Sequence, residues 1–161
     1  LILGGGQQKG MRSGTENVPA YAGLGVAAEE IYTDFDEKIS RMYELRDHFI
    51  ESVLQIPGVS VNGHHDHTNA PHVVSVSVEG IRAEVLLHTL EDREIYVSAG
   101  SACSSNKPSI SSTLKSIGLK DSLLDSTVRF SFCVNTTKEE IDYAVSVMSE
   151  VIPLLQKYTR R

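Results

Sequence analysis

His72-Val-Val-Ser-Val-Ser-Val78 is the stretch on which the reading of the fold turns. Valines stand at alternate positions, so Val74, Val76 and Val78 share one face of an extended chain. That period of two marks a half-buried strand. Toward the N-terminus, residues 64–71 are a polar loop, Asn62-Gly63 is a turn, and Val59 to Val61 is a short strand. Pro57-Gly58 closes a helix over about 34–55, in which Phe35, Ile39, Met42, Leu45, Phe49, Ile50 and Val53 recur at helical spacing. Before it, a helix is expected to start after Thr15 and run to about Tyr32, with Ser13 or Thr15 as N-cap and Glu16 in its first turn. Pro19 suits only an early helical position.

Toward the C-terminus, Ala83 to Glu91 is a short helix with Val85, Leu86 and Leu90 inward, and Ile95 to Val97 is a strand. Residues 98–112, rich in Ser, Gly, Asn, Lys and Pro, have the composition of a mobile loop. A short helix over about 111–117 stops at Gly118, and Val128 to Val134 is a strand. Thr137 and Glu140 form a capping box for a last helix to about Tyr158, with Ile141, Ala144, Val145, Met148, Val151, Ile152 and Leu155 as its core face. The expected fold is α+β: a small, mostly antiparallel sheet with helices on one face.

The 161 residues fit one domain, or one domain with a piece of another, and 40% apolar content is enough for a core. A net charge of −6 leaves no basic stripe for phosphates, so no nucleic-acid partner is expected. No apolar run approaches the ~20 residues that span a bilayer, so no membrane partner is expected either. Two cysteines, Cys103 and Cys133, are too few for a disulfide framework, which favours a reducing, cytoplasmic compartment. Leu1-Ile2-Leu3 reads as the end of a strand cut in mid-structure, so the chain is expected to continue upstream.

Three segments can carry chemistry. Cys103 lies in Val97-Ser-Ala-Gly-Ser-Ala-Cys-Ser-Ser105, where small hydroxyl neighbours leave a thiol open to a substrate. Composition leaves open whether it is a nucleophile or an incidental loop thiol. A nucleophile would need a cation or base, because a free thiol is only a few per cent thiolate at neutral pH. Gly4-Gly-Gly-Gln-Gln-Lys-Gly-Met-Arg-Ser-Gly-Thr-Glu-Asn17 offers glycines and the donors Arg12, Ser13 and Thr15 just before a helix. Such a segment can hold an anion, or it can be a plain turn with an N-cap. Arg129, in Thr127-Val-Arg-Phe-Ser131, must face solvent or meet a fixed anion. His64, His65, His67 and His72 with Asp66 match no standard zinc spacing, so no metal is expected and the loop reads as solvated. Cys133, between Phe132 and Val134, reads as core.

Taken together, the glycine-rich Arg-Ser-Gly-Thr segment at 4–17, Gly-Ser-Ala-Cys at 100–103 and Arg-Phe-Ser at 129–131 resemble the NifS-like cysteine desulfurases in order and spacing. The Thr-Thr-x-Glu-Glu-Ile-Asp run at 136–142 is also similar, and the resemblance covers the chain end to end. It implies a fold-type I, pyridoxal 5'-phosphate (PLP) dependent homodimer of the class V aminotransferase group. Residues 1–32 would be the end of its large domain and a linking helix, and residues 33–161 its small C-terminal domain.

By the same resemblance, Thr15 donates to the PLP phosphate of the partner subunit, and Arg129 grips the carboxylate of L-cysteine. Cys103 takes the sulfur as a persulfide, leaving alanine, and its loop carries that sulfur to an iron–sulfur scaffold or another acceptor protein. The longer Gly-Ser-Ala-Cys loop is similar to the iron–sulfur-assembly branch. Gln8, Lys9, Cys133 and Val134 depart from the common pattern without touching these roles. The Ser-Gly-His-Lys motif, whose lysine anchors PLP, does not occur among these residues, so this stretch alone is expected to be inactive. A PLP-free persulfide carrier or interaction module, and a selenocysteine lyase-type class V enzyme, are the alternative readings.

Overall fold

The computed structural model describes residues 2–100 and 111–158. The chain divides into two compact units, Leu1–Glu37 and Lys38–Arg161.

In the first unit, Gln7–Gly10 forms a tight 3-10 turn in which Gln8 (φ 51°) and Lys9 (φ 55°) adopt left-handed backbone. That conformation costs a side-chain-bearing residue on the order of 1 kcal/mol. The turn lets the chain fold back, so that Ile2 and Arg12 form an isolated parallel bridge. Helix α1 spans Val18–Tyr32. Its N-cap is Asn17, whose side chain accepts from the Ala20 N–H at 3.2 Å, rather than the expected Ser13 or Thr15. Pro19 explains the difference. Capped at Asn17, the proline falls in the first turn, where no N–H is needed. Capped at Thr15, it would sit where the helix requires an N–H. Helix α1 is apolar yet buries none of its residues among those described.

Asp34, at φ 52°, separates α1 from helix α2, Phe35–Val53. In the second unit, α2 buries Met42, Leu45, Phe49, Ile50 and Val53 at the predicted spacing, together with Arg46. Four strands follow: β1 (Val59–Asn62), β2 (Val73–Val78), β3 (Ser98–Ala99) and β4 (Thr127–Ser131). They pair in the order β1-β2-β4-β3, every pair antiparallel. The predicted alternation of β2 holds, with Val74, Val76 and Val78 buried. These valines join Val128 and Phe130 of β4, Ala99 of β3, Phe49 of α2 and residues of the helices α3 (Ala83–Glu91) and α5 (Lys138–Lys157) in one apolar core. The α+β architecture with an antiparallel sheet is therefore the observed one. Both halves of the Thr137/Glu140 capping box are formed.

Three expectations are corrected. Val85 points outward, because the stripe of α3 runs through Ala83, Leu86 and Leu90, and Val85 lies a helical step off it. Residues 95–97 are not a strand. The Ile95 N–H still closes onto the Leu90 carbonyl, Glu94 has φ 60°, and the chain joins β4 only at Ser98. The last strand ends at Ser131 instead of Val134. The Cys133 N–H donates to Thr136 Oγ1 at 2.9 Å, a local bond that withdraws the backbone from the sheet. A short helix α4, Ser112–Ser116, is capped by Ser111. Among the described residues no helix is long and apolar enough to cross a membrane.

Candidate functional site

Arg129 is the central residue of β4, held between two neighbours on the sheet. Val128 and Phe130 flank it with side chains in the core, and alternation throws the Arg129 side chain onto the opposite, polar face. On that face Arg129 stands opposite Ser75 of β2 and Ser98 of β3. Its Nη2 donates to Ser98 Oγ at 3.3 Å.

Arg129 has no carboxylate and no carbonyl partner among the described residues. The other arginines described are committed. Arg12 binds the Gly14 and Thr15 carbonyls, Arg41 those of Val134 and Thr136, and Arg46 binds Asp47 with several carbonyls. Arg82 pairs with Glu84 and Arg93 with Glu150. An exposed guanidinium on a rigid strand, meeting only Ser98 among the described residues, is suited to a carboxylate.

The polar face is itself ordered by a relay. Asn62 Nδ2 donates to Ser77 Oγ at 2.8 Å and to Ser75 Oγ at 3.1 Å. Ser77 Oγ meets Thr127 Oγ1 at 2.7 Å, and Thr127 Oγ1 donates to the Leu123 carbonyl at 2.7 Å. Because Thr127 spends its proton on Leu123, Ser77 is the donor to Thr127. Ser77 and Thr127 are buried, so this relay is a fixed part of the sheet.

Thr15 lies in the first unit, just ahead of the Asn17 cap of α1. The donors expected to hold an anion beside it are used inside the loop. Arg12 Nη1 donates to the Gly14 carbonyl at 3.0 Å and to the Thr15 carbonyl at 2.9 Å, and Ser13 Oγ donates to the Gly5 carbonyl at 2.8 Å. Arg12 and Ser13 therefore shape the loop. The exposed Thr15 hydroxyl has no partner among the described residues. Glu16 is bound by Gln8 Nε2 at 2.9 Å and the Tyr21 hydroxyl at 2.8 Å. The Gln8 and Tyr21 hydrogen bonds, with the Arg12 charge behind them, hold Glu16 below the usual carboxylate range. Thr15 thus fits a phosphate as one hydroxyl donor on a braced loop, not as a complete cradle.

Cys103, and with it residues 101–110 of the expected loop, lies outside the described residues. Cys133 corrects the expectation of a core thiol: it is exposed and free, in the turn before α5. Thr136 Oγ1 sits 3.7 Å from its sulfur, and this hydrogen bond, with that of the Asn135 backbone, lowers the thiol's pKa. No sequence pattern announces the turn, since Phe130, Phe132 and Val134 continue the strand's alternation past its true end.

Sequence reasoning also missed Arg46, which is 2% exposed. Its guanidinium donates to Asp47 Oδ1 (2.8 Å from Nη2) and to the carbonyls of His65, Asp66 and Asn69. Tyr43 stacks on His67 and its hydroxyl donates to the His67 and Asn69 carbonyls. The histidine loop is therefore wound on a buried cation. Among the described residues no three metal-binding side chains are grouped to hold an ion.

Known proteins resemble this chain along most of its length. Residues 5–144 match the Aminotransferase class-V family. A NifS/IcsS protein homolog of Lactobacillus delbrueckii subsp. bulgaricus is 40% identical over 151 residues, covering 94% of this chain and 39% of the relative. A cysteine desulfurase of Nostoc sp. is 37% identical over 158 residues, covering 97% of this chain and 39% of the relative. A solved NifS-like protein superposes with a TM-score of 0.82 at 30% identity, over 96% of this chain and 39% of its own. The chain thus spans about two fifths of the length of the relatives it matches.

Proposed function

The chain belongs to the aminotransferase class-V family, and from that membership we propose that it is the C-terminal portion of a PLP-dependent cysteine desulfurase. The observation that carries the reading is the guanidinium of Arg129 on β4, which has no carboxylate or carbonyl partner among the described residues. Relatives named as cysteine desulfurases and NifS-like proteins along nearly the whole chain support it. The family implies PLP, and the bound cofactor supplies an electron sink for the substrate's carbon skeleton.

Each residue then has a task. Arg129 binds the carboxylate of L-cysteine through a two-pronged pair and fixes the orientation of the substrate. Thr15 would donate its hydroxyl to the cofactor phosphate of the partner subunit in a homodimer. The Cys103 thiolate forms a bond to the substrate sulfur as the substrate's Cβ–S bond breaks. A proton goes to carbon, and the products are L-alanine and a Cys103 persulfide. Thiolate attack of this kind follows the rules of thiol–disulfide exchange. A sulfur-acceptor protein, in a cytoplasmic setting, would receive that sulfur.

The test uses the full-length, PLP-loaded protein. L-Cysteine should be converted to L-alanine. Arg129→Gln should raise KM by about ten- to a hundred-fold, the cost of a lost charged hydrogen-bond pair. An unchanged KM, or no alanine from the unmodified protein, would overturn the reading.

A further inference from the structure

We propose that Ser98 is a positioning residue for Arg129 and so for the substrate carboxylate, an inference that rests on the carboxylate-clamp reading above. An arginine on an open sheet face has a long, freely rotating stem. A two-pronged grip needs the guanidinium plane held in one orientation, and among the described residues only Ser98 Oγ meets it, at 3.3 Å. The register makes this specific: Ser98 and Arg129 are directly paired across β3 and β4, so their side chains share one face.

The neighbour on the other side does not meet the guanidinium: among the described residues no hydrogen bond joins Ser75 to Arg129. Ser75 stands opposite Arg129 on β2, but its hydroxyl receives Asn62 Nδ2 at 3.1 Å and belongs to the relay that runs through Ser77 and Thr127. The relay secures one flank of Arg129 while Ser98 holds the guanidinium from the other.

The geometry of the group adds a consequence. A guanidinium has two edges able to donate a parallel pair, Nε–Nη2 and Nη2–Nη1, and each edge uses a different Nη2 hydrogen. Ser98 takes one of those hydrogens, which occupies one edge and leaves the other whole. Ser98 therefore selects which edge meets the carboxylate. Removing its hydroxyl frees both edges and the stem together.

The experiment compares Ser98→Ala, Ser98→Thr and Arg129→Gln in the full-length, PLP-loaded enzyme. Ser98→Ala should raise KM for L-cysteine by about three- to tenfold, a fraction of the Arg129→Gln effect, with a smaller change in kcat. Equilibrium binding of L-alanine, followed by cofactor absorbance, should weaken by the same factor. Binding of cysteamine, which has no carboxylate, should stay at the unmodified value. Ser98→Thr, which restores the hydroxyl, should recover L-cysteine and L-alanine binding. If Ser98→Ala weakens cysteamine as much as L-alanine, its role is merely structural and the inference fails. If Ser98→Ala leaves L-cysteine and L-alanine unaffected while Arg129→Gln weakens both, the positioning role fails and the clamp stands. If Arg129→Gln is also without effect, the clamp reading falls and takes the inference with it.

Discussion

Helices α1 and α5 show what separates the two units. Helix α5 is amphipathic: Ile141, Ala144, Val147, Met148, Val151 and Ile152 are buried, and its charged residues all lie off that stripe. Helix α1 is more apolar and buries nothing among the described residues, with Leu24 68% exposed. Hydrophobicity alone does not make a core. For α5 the sheet and α3 supply the facing surface. The proposed site residues follow the same division. Arg129 sits on a strand anchored in that core, whereas Thr15 sits on a surface loop braced by its own side chains.

The largest test of this contrast is a pair of truncations in this chain. Phe49, fully buried, lies with its ring 4.8 Å from that of Phe130, and Phe49→Ala should cost about 3–5 kcal/mol in urea denaturation. Leu24→Ala should cost less than about 0.5 kcal/mol. Equal costs would erase the distinction between the helices. Arg46→Ala comes next. It removes the donor to the His65 and Asp66 carbonyls and leaves the Asn69 carbonyl with Tyr43 and Asp47 with His67, and should cost about 3 kcal/mol. Amide exchange at residues 64–70 should quicken with it, and protection unchanged from the parent would mean that the loop is held otherwise.

Legibility in the sequence tracked the range of the forces involved. The valines of β2, the stripe of α2 from Met42 to Val53 and the Thr137/Glu140 box are local periodicities and caps, and they stand where the sequence put them, while Phe35 at the start of α2 is exposed. Cys133 was misread because one hydroxyl, that of Thr136, captures its N–H three residues before it and ends the strand early. The cap of α1 was misplaced because Pro19, not the nearest hydroxyl, decides the start. Arg129 was visible as an arginine in an apolar strand. Its tie to Ser98 was not, since that depends on the pairing of β3 with β4, and β3 begins a residue beyond the expected strand.

Two smaller effects sharpen the picture of the second unit. Thr136→Val should raise the Cys133 pKa toward that of a free thiol. In a Cys103→Ser background, its alkylation at neutral pH should slow, and an unchanged rate would dismiss the Thr136 hydrogen bond as the cause. The smallest effect is acid-dependent. Hydrogen bonds from His48 and then Lys138 hold Asp142 below its ordinary value of 3.8. A depressed folded pKa gives a contribution that is complete above the unfolded value and is lost as pH falls through the folded one. The unmodified protein should thus exceed Asp142→Asn in stability near pH 6, and the gap should close as pH falls below the ordinary carboxylate range. A constant gap across that range would contradict the assignment.

The most direct measurement follows the sulfur itself. Full-length, PLP-loaded protein mixed with L-cysteine radiolabelled in its sulfur, then digested without reductant, should carry the label on the peptide containing Cys103. Thiol treatment should release it and Cys103→Ser should abolish it. Label found on Cys133 instead, or on neither cysteine while alanine accumulates, would contradict the assignment of Cys103 as the sulfur acceptor.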